Sequence, residues 1–512
     1  MGPLNDRERH DGALVDVPGR AVGVPGARTG HLDALALADL VHTCLVSPVE
    51  LVRDAIARIE ALDPHLHAIV ATDYERALDT AATMDPGRPF AGVPILLKDL
   101  CTEAEGLPAT QGSAYLRGRV SRGDQEYVAR LRRAGFVILG KTSTPEFGMA
   151  PTVEPRRAPA TANPWDTRHT TAGSSGGSAA AVASGMVPVA HGNDAGGSLR
   201  FPASACGLFG LKPTRGRNPL GPRYGEYLGG MVAEHVLTRT VRDSAALLDV
   251  TSGPAPGDPY SAPAHNGSWL AEVGRRPGRL RIAVTRTAAD EADVHPDCLA
   301  ALDDAVELLE SLGHEVFERD LVELTPQVGS AIGRMYGAGV DWMVRYWTRE
   351  LGREPGPDDL EPLTRLYYER GRSVTGGELM MAQTVVSEFT RALAAATEGP
   401  DGFDAWLSST LSQPPPRLGY LAGPDPLVAE RRSAAFVAFP LVVANLTGRP
   451  AMSVPLWWND AGLPVGVHLM GSYGGEGLLF RLAAQLEEAR PWADLWAPTS
   501  VRCLPHHHPQ EP

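Results

Sequence analysis

Residues 172–202 read AGSSGGSAAAVASGMVPVAHGNDAGGSLRFP and contain four structural signals in succession. A Gly- and Ser-rich loop at 172–178 enters an Ala-rich segment, so residues 174–184 are predicted to lead from a loop into a helix. A short apolar run at 187–191 predicts a strand, and a second Gly-rich loop follows at 192–202. Helix and strand therefore alternate around two loops, as in an α/β fold.

The alternation of helices and strands extends outward from this stretch to both ends of the chain. The strand at 92–98 is apolar throughout, so we expect it to lie in a covered, mostly buried sheet. The other predicted elements, in chain order, are a helix from Ser47, a helix at 124–134, strands at 136–140 and 280–284, a helix at 296–312, strands at 315–317, 405–407, 451–454 and 465–469, and a closing helix at 476–489.

Three segments depart from this alternation. Residues 1–30 mix charges with Gly and Pro and have no apolar run typical of a signal peptide, so they are predicted to be a loose leader. Residues 322–398 carry Met, Tyr and Trp at helical spacing and predict a helical insertion whose aromatic residues are mainly core. Residues 501–512 predict a disordered tail. Residues 31–500 are then expected to form a single domain.

Composition excludes several classes of function. The chain has 47 Lys and Arg against 61 Asp and Glu, a formal net charge of −14. Nucleic acids and anionic membranes bind basic surfaces, so neither is an expected partner. Five scattered cysteines without a C-x-x-C pair disfavour a disulfide framework or a metal site. With no apolar run long enough to span a membrane, we expect a cytoplasmic protein.

The second Gly-rich loop suits acyl transfer. Consecutive glycines let the backbone turn tightly and present successive N–H groups to one point, where they can hold an oxyanion. A serine directly after them is placed to attack the same carbonyl. We therefore predict Ser198 as the nucleophile and the amides of Ala195, Gly196, Gly197 and Ser198 as the oxyanion hole. A nucleotide loop is disfavoured because no Gly-Lys-Ser/Thr ending follows.

Lys98 is the predicted base for this serine. It ends the apolar strand at 92–98, where burial would disfavour its charged form. Its neighbour Asp99 would lie on the opposite face of the strand and need not neutralise it. The histidine nearest in sequence to the loop, His191, is on the preceding strand and has no recognisable context as a base.

Three motifs occur in the order Lys98-Asp99, the Gly-Ser-Ser-Gly-Gly-Ser loop at 173–178, and Asp-x-Gly-Gly-Ser-x-Arg-x-Pro at 194–202. Together they resemble the amidase signature family, and the likeness spans nearly the whole chain. The resemblance implies a mixed, twisted central sheet covered by helices on both faces. It also implies an acyl-enzyme mechanism with a Ser–cis-Ser–Lys triad, in which Lys98 is the base, Ser174 the bridging serine and Ser198 the nucleophile. No metal or other cofactor is implied.

Other residues are assigned through the same resemblance. Asp194 and Arg200 would pair to hold the second Gly-rich loop, and Ser175 would support the site by hydrogen bonding. Ser175 is also the centre of a Gly-x-Ser-x-Gly match, as in α/β-hydrolases, but that interpretation leaves the second loop unexplained. The segment Phe147-Gly148-Met149-Ala150 would line the acyl pocket, and its lack of charge favours a neutral or apolar acyl group.

Residues 229–244 and 482–493 resemble the bacterial 6-aminohexanoate-cyclic-dimer hydrolase-like subgroup. The expected function is therefore hydrolysis of a small, relatively uncharged or cyclic amide, with a homodimer left open. The alternatives are the glutaminase subunit of a tRNA amidotransferase, an esterase or acyl-transfer activity on this site, and a protein that kept the fold only for binding.

Overall fold

A computed structural model of the chain describes residues 29–156, 158–289, 292–319, 324–439 and 441–504. Its strands are β1 (Ile69–Thr72), β2 (Pro94–Lys98), β3 (Val137–Thr142), β4 (Ala162–Asn163), β5 (Asp166–Thr170), β6 (Val189–Asp194), β7 (Phe209–Lys212), β8 (Ala233–Thr238), β9 (Arg281–Val284), β10 (Glu315–Glu318), β11 (Ala405–Ser409), β12 (Ala451–Trp458) and β13 (Pro464–Gly471). Within these ranges, eleven strands form one sheet in the order β1-β3-β2-β6-β8-β7-β12-β13-β11-β9-β10.

The predicted α/β class with a mixed sheet is confirmed. β2 runs parallel to both β3 and β6, whereas β6 and β8 pair antiparallel. The helices are α1 (Ala34–His42), α2 (Pro48–Leu66), α3 (Tyr74–Ala82), α4 (Glu126–Ala134), α5 (Gly176–Ala183), α6 (Arg200–Cys206), α7 (Val241–Thr251), α8 (Trp269–Val273), α9 (Pro296–Ser311), α10 (Pro326–Leu351), α11 (Pro362–Gly371), α12 (Gly376–Glu398), α13 (Pro426–Phe436), α14 (Val442–Leu446) and α15 (Glu476–Ala489).

Strand β2 shows that helices cover both faces of the sheet. Its side chains alternate in direction, as in any strand. Leu96 packs with apolar residues of α2 and α5, whereas Ile95 and Leu97 pack with residues of α1 and α4 on the other face. All five residues of β2 are buried, which agrees with its uninterrupted apolar sequence.

Helices α10, α11 and α12 occupy most of the segment predicted to be a helical insertion, and α10 packs against both of the others. Met335 and Trp347 of α10 are buried in the largest apolar cluster, as expected for core residues. Tyr336 is partly buried against the same cluster and also lines a cavity of about 1160 Å³. The part of the predicted insertion at 322–323 lies outside the described residues.

Several boundaries differ from the sequence predictions. Thr29 and Gly30, assigned to the leader, are buried, and residues 1–28 lie outside the described residues. At the other end, Val501–Cys503 forms a 3₁₀ turn in which Val501 is buried, so these three residues do not belong to the disordered tail that was predicted at 501–512. Residues 505–512 lie outside the described residues. β6 continues to Asp194, three residues further than predicted. No described helix is long and apolar enough to cross a membrane.

Candidate active site

The end of β2 places Lys98 beneath the Ser-rich loop. Lys98 shares a strand face with Leu96, and this is the face against which α5 packs. Its amine is fully buried. The Nζ atom lies 2.7 Å from Ser174 Oγ, 3.0 Å from Ser175 Oγ and 2.6 Å from Asn193 Oδ1. Strand β2, the loop before α5 and strand β6 therefore meet at one amine.

The hydrogen bonds around this amine assign a role to each partner. Asn193 Nδ2 donates to Leu100 O, so Asn193 Oδ1 is the acceptor that faces Lys98. Ser175 Oγ donates to Asn193 O at 3.2 Å, so it also accepts from Lys98. A fourth and longer contact joins Lys98 Nζ to Asn193 O at 3.4 Å. A neutral amine has two N–H donors, so when these serve Asn193 and Ser175 its lone pair would face the hydroxyl group of Ser174.

The surroundings of Lys98 favour this neutral form. Burial lowers its pKa to about 7, although the Glu234 and Asp194 carboxylates act in the opposite direction. Asp99 lies apart from the amine, as predicted from the strand geometry: it accepts from Thr110 and lies 3.9 Å from Lys141 Nζ. At neutral pH a substantial fraction of Lys98 is therefore uncharged and able to accept a proton.

The bridging position is held by the loop that precedes α5. The peptide bond between Gly173 and Ser174 is cis. Gly173 is packed so closely that an added Cβ would lie 2.6 Å from Thr152 N. The next residue links the two loops, because Ser175 N donates to Ser198 O at 3.2 Å. The loop of residues 195–199, which follows β6 and is here called the catalytic loop, therefore lies beside Ser174.

The catalytic loop is organised around the carboxylate of Asp194. Asp194 Oδ1 accepts from Gly197 N at 2.7 Å, and Asp194 Oδ2 accepts from Leu199 N at 3.1 Å. The Arg200 guanidinium donates to both oxygens, at 2.9 and 3.0 Å. Burial raises the pKa of this carboxyl group, but the Arg200 charge and its hydrogen bonds outweigh burial and hold the pKa well below its usual range. Asp194 is thus a buried anion that fixes the turn.

Residues distant in sequence complete the support for this turn. Arg200 Nη1 donates to Leu441 O at 2.9 Å, and Arg200 Nη2 donates to Asn445 Oδ1 at 2.7 Å. Asn445 Nδ2 in turn donates to Asp194 Oδ1 and to the backbone oxygen of Met231. Every oxygen and N–H in this buried pair has a partner, as a stable buried ion pair requires.

These contacts change the predicted set of oxyanion donors. Gly197 drops out, because its N–H already donates to Asp194. Among the described residues, no hydrogen bond takes up the backbone N–H groups of Ala195, Gly196 and Ser198. Three of the four predicted donors are therefore available to a ligand.

Ser174 and Ser198 line the same cavity, which has a volume of about 1160 Å³. Within the described ranges, no hydrogen bond joins the two hydroxyl groups. The structure therefore brings Lys98, Ser174 and Ser175 into direct contact and places Ser198 in the same cavity as Ser174. The hydrogen bond between Ser198 and Ser174, which the predicted relay also needs, is not formed.

The cavity is apolar near the serines and charged only where it meets solvent. All four residues of the predicted acyl-pocket segment 147–150 line it. Gly148 lies close to Ser174, since an added Cβ there would lie 3.2 Å from Ser174 Oγ. Other apolar residues of the lining include Leu100, Cys101, Phe201, Leu228, Val232 and Val442. Its charged residues are Arg334, Arg370, Glu378 and Glu430, each at least partly exposed.

His191 is engaged elsewhere in the buried network. Its Nε2 lies 2.5 Å from Glu234 Oε2, and its Nδ1 lies 3.2 Å from Thr102 Oγ1. Burial lowers the pKa of this imidazole. The contacts explain why His191 does not serve the serines. In the part of the chain that the structure describes, no group of three or more His, Cys, Asp and Glu could hold a metal ion.

Sequence reasoning missed three residues of the site. Asn193 lies inside the second Gly-rich motif, and this is the signal that could have pointed to it. Asn445 and Tyr336 carry no such signal. Asn445 binds the Asp194–Arg200 pair from α14, and Tyr336 reaches the catalytic loop from α10, where Tyr336 Oη donates to Ala195 O at 3.2 Å.

The amidase family model matches residues 50–480 of the chain. The 6-aminohexanoate-cyclic-dimer hydrolase of Paenarthrobacter ureafaciens is 37% identical over 478 residues, which cover 90% of this chain and 95% of that protein. A solved structure of 6-aminohexanoate cyclic dimer hydrolase complexed with substrate matches with a TM-score of 0.84 and 35% identity, covering 92% of this chain and 99% of that chain. A glutamyl-tRNA(Gln) amidotransferase subunit from Thermotoga maritima matches with a TM-score of 0.70 and 28% identity, covering 90% of this chain and 97% of that chain.

Proposed function

The chain belongs to the amidase signature family of amide hydrolases, and on that premise we propose that it cleaves a small, uncharged or cyclic amide through Lys98, Ser174 and Ser198. The family resemblance inferred from the sequence motifs, including the likeness to cyclic-dimer hydrolases, is confirmed. The single observation that carries the proposed mechanism is the buried amine of Lys98, whose remaining hydrogen-bonding capacity is directed at Ser174.

The reaction begins with a proton relay. Neutral Lys98 takes the proton of Ser174, and Ser174 takes the proton of Ser198, so the Ser198 oxygen becomes nucleophilic as it attacks the amide carbonyl. This relay needs a hydrogen bond from Ser198 to Ser174. The two loops already share the hydrogen bond from Ser175 N to Ser198 O, which supports the proposal that the two hydroxyl groups come into contact in the reactive state.

Attack on the carbonyl forms a C–O bond and a tetrahedral intermediate. Its oxyanion would be held by the N–H groups of Ala195, Gly196 and Ser198, which are the three free donors of the catalytic loop. Collapse of the intermediate breaks the C–N bond, and the protonated relay returns its proton to the leaving amine. Water then attacks the acyl-enzyme by the same route, releasing the carboxylic acid and restoring Ser198.

The cavity supports the proposed class of substrate. Its apolar wall beside Ser174 would bury a neutral acyl chain, whereas an ionised group there would lose its hydration without gaining a partner. A volume of about 1160 Å³ is ample for a cyclic diamide. The relatives that cleave the cyclic dimer of 6-aminohexanoate make that compound the first substrate to test.

An activity screen with one variant tests the proposed function. The purified protein is incubated separately with the cyclic dimer of 6-aminohexanoate, with hexanamide and with glutamine, and the released amine or ammonia is measured. We expect hydrolysis of one or both uncharged amides and a loss of at least about 1000-fold in kcat for Ser198→Ala, because this variant lacks the attacking oxygen. Full activity in Ser198→Ala would exclude the proposed nucleophile.

Two alternatives predict different outcomes, and the first is tested by adding the Ser175→Ala variant to the screen. An esterase of the α/β-hydrolase type would use Ser175, but Ser175 is fully buried and its hydroxyl contacts Lys98 and Asn193. That mechanism predicts inactivity in Ser175→Ala together with normal activity in Ser198→Ala. A glutaminase subunit would release ammonia from glutamine and would hydrolyse neither of the two uncharged amides. Its rate of ammonia release would increase when amidotransferase partner subunits are added.

A further inference from the structure

Helix α10 places the phenol of Tyr336 directly over the catalytic loop. Tyr336 Oη donates to Ala195 O at 3.2 Å, and Tyr336 lines the same cavity as the two serines. Burial raises the pKa of this phenol, so it stays protonated and able to donate at any pH at which the protein works. The helical insertion therefore donates a hydrogen bond to the loop that carries the predicted oxyanion donors.

The hydrogen bond acts on the peptide unit that carries one of those donors. Ala195 C=O and Gly196 N–H belong to the same peptide bond, which is not among the cis peptide bonds of the described residues. In a trans peptide the C=O and N–H groups point in opposite directions. A phenol that holds the carbonyl of Ala195 therefore also fixes the direction of the Gly196 N–H.

Other contacts fix the rest of the catalytic loop but not this peptide. Asp194 binds Gly197 N and Leu199 N, which lie further along the chain. In the described part of the chain, the Ala195 carbonyl accepts a side-chain hydrogen bond from Tyr336 alone. Without the phenol, no side-chain hydrogen bond among the described residues would hold the Ala195 carbonyl.

Gly196 also lies close to the hydroxyl group of Tyr336. Gly196 does not have a positive φ, so its backbone conformation is one that any residue could adopt. A Cβ added to it would lie 2.5 Å from Tyr336 Oη, and the next nearest atom would be 3.8 Å away. The phenolic oxygen alone therefore excludes a side chain at this position.

We propose that Tyr336 is a positioning residue that holds the Ala195–Gly196 peptide so that the Gly196 N–H faces the reacting carbonyl. The proposal rests on the proposed function, since it assigns Tyr336 to the same oxyanion hole. It gives the helical insertion a part in catalysis: α10 supplies the hydroxyl group that orders the catalytic loop. The phenol acts through the backbone and takes no proton from the substrate.

Removal of the hydroxyl group alone tests the proposal. We expect Tyr336→Phe to lower kcat on the cyclic dimer of 6-aminohexanoate, and the rate at which a fluorophosphonate labels Ser198, by about fivefold to tenfold, as for loss of one hydrogen bond. KM should change less than twofold. The matched control is Tyr346→Phe, on the same helix, which loses a hydrogen bond from Arg223 Nη1 outside the cavity and should label at the wild-type rate.

A double-mutant cycle separates positioning from a general structural role. Gly196→Ala alone should lose more than tenfold in labelling rate, because its methyl group meets the phenolic oxygen. In the Tyr336→Phe background that oxygen is gone, so adding Gly196→Ala should cost several-fold less than it does in the wild-type background. Additive losses in the double variant, or a wild-type labelling rate in Tyr336→Phe, would overturn the proposal.

The labelling experiment also distinguishes failure of this proposal from failure of the proposed function. If the wild-type protein is labelled at Ser198 and Tyr336→Phe labels equally fast, Tyr336 has no positioning role although the nucleophile stands. If mass spectrometry finds no label at Ser198 in the wild-type protein, the proposed mechanism fails, and with it the role of Tyr336.

Discussion

The dependence of activity on pH tests the protonation state of Lys98. Only the neutral amine can accept a proton from Ser174, so activity should rise with pH as Lys98 loses its charge. Burial lowers the pKa of Lys98 to about 7. The neutral fraction is then about one tenth at pH 6, one half at pH 7 and nine tenths at pH 8. We therefore expect kcat/KM to rise about tenfold between pH 6 and 8 and then to level off.

The assay measures kcat/KM on the cyclic dimer of 6-aminohexanoate from pH 5.5 to 9.5, with circular dichroism at each pH to verify that the protein stays folded. A lysine with an ordinary pKa would instead give a rate that climbs about tenfold per pH unit up to pH 9 or beyond. Such a climb, or a flat profile between pH 5.5 and 8, would refute the argument that a buried, neutral Lys98 is the base.

Other buried groups have pKa values in the same range: Glu487 at about 7 and Asp243 at about 8, both raised by burial, together with Lys212 and Glu146, which control variants can remove. Burial lowers the pKa of Lys212 to about 7 and raises the pKa of Glu146 to about 7. Lys212→Met and Glu146→Gln each remove one of these titrations. Both variants should keep the rise near pH 7, whereas Lys98→Met should lose most of its activity and show no rise there. Disappearance of the rise in either control would assign it to that group.

Individual contacts give three further predictions. In Asn193→Asp a carboxylate would replace the amide that lies 2.6 Å from Lys98 Nζ, so the rise in the pH profile should move upward by about 1–3 pH units, and an unmoved profile would contradict the contact. Asp194→Asn would leave the buried Arg200 guanidinium without its counter-charge, so denaturant titration should show a loss of about 3–5 kcal/mol in the free energy of unfolding, and a change below about 1 kcal/mol would show that the pair contributes little to stability. Met149→Glu would place a charge in the apolar wall, so kcat/KM for hexanamide should fall more than tenfold while the fluorophosphonate still labels Ser198, and unchanged hydrolysis would place the acyl chain elsewhere.

Local patterns predicted much of the fold correctly. The helix predicted from Ser47 is α2, and it begins with a capping box formed by Ser47 and Glu50. Local preference fails where distant contacts decide: α2 continues through Pro64 to the buried Leu66, although a proline inside a helix usually ends or kinks it. The apolar burial of that last turn outweighs the local preference.

The sequence by itself determined the family and the α/β class, and it predicted the lysine and serines of the proposed site, because their motifs are contiguous and their chemistry follows from residue type. It could not show which amides of the catalytic loop are free, since that depends on where Asp194 places its two oxygens. Nor could it show that Asn445 and Tyr336 belong to the site. Those side chains come from helices more than a hundred residues away in sequence, and only the packing of α10 and α14 against the loop brings them there. Contacts of this kind leave no local pattern, because they are made between surfaces that form only when the chain is folded.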